Sequence, residues 1–192
     1  LGLPMLVVGL LIRRDSEGPA IFKQTRAGIG SSTFRCWKFR TMYIGADAER
    51  AALRAAQEAE LAERATIGSA SGSAATFKMA DDPRITGIGR LLRKYSIDEL
   101  PQLVNVLKGE MSLVGPRPHP LDDVELYDDV ATRRLLAKPG MTGLWQVSGR
   151  SDLAWEEAVR LDLNYVENWS LATDLLILLR TAKVVVAGSG AY

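Results

Sequence analysis

The segment Arg93–Pro118, RKYSIDELPQLVNVLKGEMSLVGPRP, sets two carboxylates, Asp98 and Glu99, just ahead of a proline and an apolar helix. Adjacent acids in that position either cap the helix or carry chemistry. Ser96-Ile97-Asp98-Glu99 matches the S-x-x-E capping box, and acids suit the positive end of a helix dipole. Pro101 speaks against Ser96 as the cap, because it would then fall inside the helix and forfeit a hydrogen bond. With Asp98 as the cap, Pro101 lies in the first turn, where its missing N–H is harmless. A cap needs only one of the two acids. Arg84, Arg90, Arg93, Lys94 and Arg117 surround the pair in sequence, a setting for a phosphate ligand or a divalent cation. At the level of pattern both readings stand.

Composition narrows the chemistry. The chain has 192 residues, 47% hydrophobic and 24% charged, with a net charge of +1. That is the balance of a globular domain with a proper core, and it argues against a strongly basic nucleic-acid binder. The single cysteine, Cys36, excludes an internal disulfide framework and a multi-cysteine zinc site. The single histidine, His119, lies between two prolines and makes a histidine-based metal site or a Ser-His triad improbable. An enzyme built on this chain works with carboxylates and basic groups.

Leu1–Ile12 is an uncharged apolar run closed by Arg13 and Arg14. As a helix it covers roughly 18 Å, short of the ~30 Å hydrocarbon core of a bilayer. It reads as half a span, a core helix or the tail of a membrane segment. The charge order is the reverse of a cleaved signal peptide.

Further along, Ala20–Met42 alternates around Gly28-Ile29-Gly30 and predicts a β-hairpin, with Phe34, Cys36 and Phe39 near one face. Ala46–Thr66 predicts a helix, and Ile67–Phe77, rich in Ser, Gly and Ala, a loop placed like a lid. A short basic helix, the apolar helix after Pro101 and a proline-stiffened loop follow. Then come a helix over DDVELYDDVATRRLLA, an extended LWQVSG, and helices over Asp152–Val166 and Leu171–Val186. The last serves as a core or oligomer helix, or lies on a bilayer.

Four stretches carry a resemblance: KFRTM, DPRITGIGRLLRKYSIDELPQLVNVLKGEMSLVGPRP, KPGMTGLWQVSGR and RLDLNYVENWSLATDLLILLRT. In order and spacing they resemble the bacterial sugar transferase family, the monotopic polyprenyl-phosphate sugar-1-phosphate transferases. The ending GSGAY is similar to the exopolysaccharide branch. The resemblance implies an α+β, predominantly helical fold with a small hairpin and amphipathic interfacial helices. It implies that residues 1–14 end a re-entrant membrane helix, with further membrane helices ahead of it, and that 15–192 form the catalytic domain. Leu3-Pro4 stands where the family breaks that helix at Ser-Pro.

The implied reaction moves a sugar-1-phosphate from a UDP-sugar to undecaprenyl phosphate at the cytoplasmic face of the membrane, releasing UMP. Asp98 would be the nucleophile and Glu99 a ligand of Mg²⁺. Lys38 and Asp162, at positions in KFR and D-x-x-Y, together with Arg84, Arg93 and Arg117, would serve substrate binding. Two other classes compete: a silent membrane-surface module that binds lipid phosphate, and a carboxylate phosphatase. The adjacent acids argue against the first, and the absence of D-x-D spacing argues against the second.

Overall fold

The computed structural model describes residues 2–46, 82–149 and 153–187. Most of the predicted helix Ala46–Thr66 and all of the loop Ile67–Phe77 lie outside the described residues. The chain begins with α1, Gly2–Asp15. Pro4 lies within this helix. None of the described helices is long and apolar enough to cross a membrane.

Strands β1, Ile21–Ala27, and β2, Thr33–Phe39, pair antiparallel as the predicted hairpin, with Gln24 opposite Cys36 and Phe22 opposite Lys38. The two-residue period places Phe34, Cys36 and Lys38 on one face and Phe39 on the other. Phe39 therefore does not share the face of Phe34 and Cys36, contrary to the reading from sequence. It packs with Ile12 and Leu92, while Phe34 and Cys36 pack with Met111.

Helix α2, Gly87–Lys94, is capped by the Thr86 hydroxyl, which accepts from the Gly89 N–H at 3.0 Å. A Cβ at Gly89 would lie 2.1 Å from the Thr41 carbonyl, so only glycine lets the helix approach the chain leaving β2. A 3₁₀ turn over Ile97–Glu99 leads to α3, Gln102–Leu107, and then to β3, Ser112–Val114.

The stretch predicted as one helix from Asp122 is broken. It forms α4, Leu121–Val124, and α5, Asp129–Thr132, followed by a 3₁₀ turn over Arg133–Leu136. The physical reason is Asp128, whose side chain accepts from the Ala131 N–H at 2.7 Å and starts a new helix. Strand β4, Gly140–Thr142, pairs parallel with β3. LWQVSG is not extended but forms α6, Leu144–Ser148, because Leu144 and Val147, at helical spacing, share the cluster of Val114, Tyr165 and Ile177.

Two longer helices close the fold: α7, Trp155–Glu167, and α8, Leu171–Ala187. The Tyr165 hydroxyl lies 2.8 Å from Asp174 Oδ1 and 3.3 Å from the Val114 carbonyl, tying α7 to α8 and to β3. The result is helices around two small two-stranded sheets, the mixed, predominantly helical class expected.

Candidate active site

The turn bearing Asp98 and Glu99 is held by apolar neighbours on either side. Ile97 and Leu100 pack against Ile12, Phe39 and Leu92. Ser96, just before it, has φ 55°, the one non-glycine among the described residues in the left-handed region. Its side chain makes no capping bond, and α3 starts after Pro101 without one. Neither capping reading is realised. Left-handed backbone at a serine is strain that the surrounding fold maintains, and here it aims two carboxylates at the hairpin.

Three elements then converge on Glu99. Lys38 Nζ, on β2, lies 2.7 Å from Glu99 Oε1, and Arg117 Nη2 lies 2.8 Å from the same oxygen. Lys38 reaches it because it continues the inward face of Phe34 and Cys36. Helix α3 is fixed to that strand by the fully buried Asn105, which accepts from the Trp37 N–H and donates to the Arg35 carbonyl.

Arg117 sits in a Gly-Pro-Arg-Pro loop gripped along its backbone. The Gly115 N–H donates to Thr142 O, Gly140 N–H to Pro116 O, and Arg26 Nη1 to Pro118 O at 2.5 Å. A Cβ at Gly140 would fall 2.1 Å from the Gly115 nitrogen, so the two segments meet only through glycines.

The two acids diverge electrostatically. Burial alone would raise the Glu99 carboxyl, but the charges and hydrogen bonds of Arg117 and Lys38 more than reverse this and hold it well below the usual carboxylate range. Burial raises Asp98 above its ordinary value, against the pull of Lys38. Among the described residues, no ion pair or hydrogen bond fixes the Asp98 carboxylate. Glu99 is a clamped anion, whereas Asp98 is a weakly held one facing the same cations.

The remaining residues expected at the site separate. The Arg93 Nε donates to the Thr41 hydroxyl at 2.9 Å, and its charge is felt at Asp98. Arg84 is buried with a two-pronged bond to Asp82, at 2.8 and 2.6 Å, away from the Glu99 cluster of Lys38 and Arg117. Asp162 has 0% of its surface exposed. Its Oδ2 takes two bonds from Arg134, at 3.0 and 2.5 Å. Burial pushes its carboxyl up to about 6, with Arg134 and then Arg117 holding it back. Sequence reasoning missed Arg134 and Asn105. Nothing in TRRLLA distinguishes the exposed Arg133 from the buried Arg134, and Asn105 meets its partners 68 and 70 residues away.

No described cluster of three His, Cys, Asp or Glu side chains could hold a metal by itself. Magnesium does not need one, since it takes one or two carboxylates and completes its shell with phosphates and water. Glu99 Oε1 is committed to two cations, which leaves Oε2 and the Asp98 carboxylate as donors. That set fits a magnesium–diphosphate ligand.

The family description "Bacterial sugar transferase" matches residues 1–188. The chain is 47% identical to an undecaprenyl-phosphate galactose phosphotransferase of Salmonella typhimurium, over 98% of this chain and 37% of that protein. It is 44% identical to the exopolysaccharide production protein ExoY of Sinorhizobium fredii, over 98% of this chain and 79% of that one. A UDP-glucose:undecaprenyl-phosphate glucose-1-phosphate transferase of Caulobacter vibrioides is 39% identical over 98% of this chain and 64% of its own length. The chain thus spans little more than a third of some relatives and most of others.

Proposed function

The chain belongs to the bacterial sugar transferase family, and from that premise we propose that it transfers a sugar-1-phosphate from a UDP-sugar to undecaprenyl phosphate. The observation that carries the reading is the site itself. Glu99 is locked between Lys38 and Arg117, and Asp98 beside it is committed to no cap or ion pair among the described residues.

An Asp98 oxygen attacks the β-phosphorus of the UDP-sugar. The bond from that phosphorus to the bridging oxygen breaks, and UMP leaves with the oxygen. The sugar-phosphate remains on Asp98 as a mixed anhydride. An oxygen of the lipid phosphate then attacks the same phosphorus, the bond to Asp98 breaks, and the carboxylate is regenerated. Covalent catalysis suits a transfer between a soluble donor and a membrane-held acceptor, because the two never need to meet. Arg117 and Lys38 meet the negative charge that accumulates on the diphosphate. Arg93, whose charge acts on Asp98, adds to the same positive field. Glu99 would hold magnesium, which would supply further neutralisation of the diphosphate charge.

The membrane belongs to the same proposal. On α1, Leu3, Leu6, Val7, Leu10 and Leu11 are exposed ahead of Arg13 and Arg14, an apolar face with a cationic end suited to a re-entrant or surface-lying helix at the cytoplasmic leaflet. The test is UMP release from a panel of UDP-sugars, with and without undecaprenyl phosphate. A transferase releases at most a stoichiometric burst of UMP without the lipid and turns over with it. A silent lipid-binding module releases none, and a phosphatase liberates sugar phosphate with no acceptor.

A further inference from the structure

We infer that Arg134 is a positioning residue for this transfer, acting through Asp162 and the Gly-Pro-Arg-Pro loop to keep Arg117 on Glu99. The inference rests on the proposed transferase reading.

Arg134 has 3% of its surface exposed and lies in the 3₁₀ turn after α5. Its guanidinium is fully engaged along one edge by Asp162 on α7. The remaining nitrogen, Nη1, donates to the Tyr127 hydroxyl at 2.8 Å. Its guanidinium carbon lies 5.6 Å from the Tyr127 ring centre and 5.5 Å from that of Trp155. These same two rings hold His119, the residue that follows the loop, at 5.9 and 5.5 Å. Arg134 and Tyr127 also line a small cavity together with Pro116, Arg117, Pro118 and His119.

Arg134 is therefore packed against the back of the loop whose front presents Arg117 to Glu99. Asp162 completes the connection. Its Oδ2 belongs to Arg134, its Oδ1 is buried without a well-formed hydrogen bond, and the charge and main-chain N–H of Arg117 act on the same carboxylate. The far side of the loop is held by Arg26 and by the Ala27 N–H, which donates to the His119 carbonyl. With both sides gripped, the Arg117 fork keeps one orientation. A planar, five-donor cation on rigid partners suits that work, whereas a flexible lysine would not. Small misplacements of a charged group over a phosphate are costly to turnover.

A merely structural Arg134 would lower stability and amount of folded protein without coupling to Arg117. A double-mutant cycle separates the cases. Single-turnover UMP release from UDP-galactose and UDP-glucose is measured in full chains carrying Arg134→Lys or Arg117→Lys, and in the double variant, each normalised to folded protein. Arg134→Lys is expected to slow release about 10- to 100-fold when Arg117 is present, and at most about twofold in the Arg117→Lys background. Tyr127→Phe, which removes one hydroxyl and keeps the ring, is expected to slow release about 3- to 10-fold with the same dependence on Arg117, and decides the matter if Arg134→Lys does not fold. Equal losses in both backgrounds, or no loss in either, overturn the inference while leaving the transferase reading intact. No UMP release from either donor by the unaltered protein overturns the reading beneath it.

Discussion

A carboxylate can be valuable to a site while weakening the fold that holds it, and Asp98 and Asp162 are both of this kind. Each is raised by burial. For Asp162 the sign is definite. Its folded value of about 6 lies above the usual ~3.9 of an unfolded aspartate. Between those values the folded state binds more protons, so stability falls as pH rises through the window. The difference corresponds to about 3 kcal/mol. Urea melts of the unaltered protein and Asp162→Asn between pH 4 and 8 should show this. The stability of the unaltered protein relative to the variant is expected to fall by that order from pH 4 to 7, and to change little above. Glu99 behaves oppositely: its contribution is complete above the ordinary glutamate range and fades only in stronger acid.

Among the elements, the contact of the Gly-Pro-Arg-Pro loop with β4 carries the most consequence for the site. Gly115, Gly140 and Gly143 meet backbone to backbone, leaving no room for a Cβ. Gly140→Ala forces the two segments apart and is expected to destabilise by about 2–4 kcal/mol in chemical denaturation. Gly109, which ends α3 with φ 76°, has open space around it. Gly109→Ala carries only the left-handed penalty of about 1 kcal/mol. The contrast between the two substitutions measures close approach separately from backbone strain.

Legibility from sequence divides along these lines. The hairpin, the α3 helix and the long helices α7 and α8 were visible because periodicity is local. The acid pair, Lys38 and Arg117 were visible because they sit inside contiguous motifs. Asp128 restarting a helix was not, because Asp in a helix-like pattern gives no sign of whether its side chain bonds the backbone. The roles of Arg134 and Asn105 were not, because each depends on partners brought near only by the fold.

At the scale of the whole molecule, apolar surface concentrates on the first and last described helices. Leu171, Leu175 and Leu179 form a stripe along α8, opposite the fully buried Ile177. Together with the exposed face of α1 and with Trp169, which is 60% exposed, they suit a bilayer surface. Leu175→Gln with Leu179→Gln is expected to leave the melting temperature within about 2 °C, since both side chains already face outward. The same pair should reduce sedimentation with anionic phospholipid vesicles severalfold. Unchanged sedimentation would remove α8 from the membrane-facing surface.

The most direct test of the chemistry needs only the donor substrate. Intact-protein mass is measured after mixing with a UDP-sugar and magnesium in the absence of undecaprenyl phosphate, for the unaltered protein and for Asp98→Asn. Asp98 caps no helix, so the asparagine variant is expected to fold as well as the parent. The unaltered protein should gain the mass of one sugar-phosphate and lose it when lipid phosphate is added, and Asp98→Asn should gain nothing. A folded Asp98→Asn protein that still acquires the adduct, or still releases UMP at the parental rate, would contradict the assignment of Asp98 as the nucleophile.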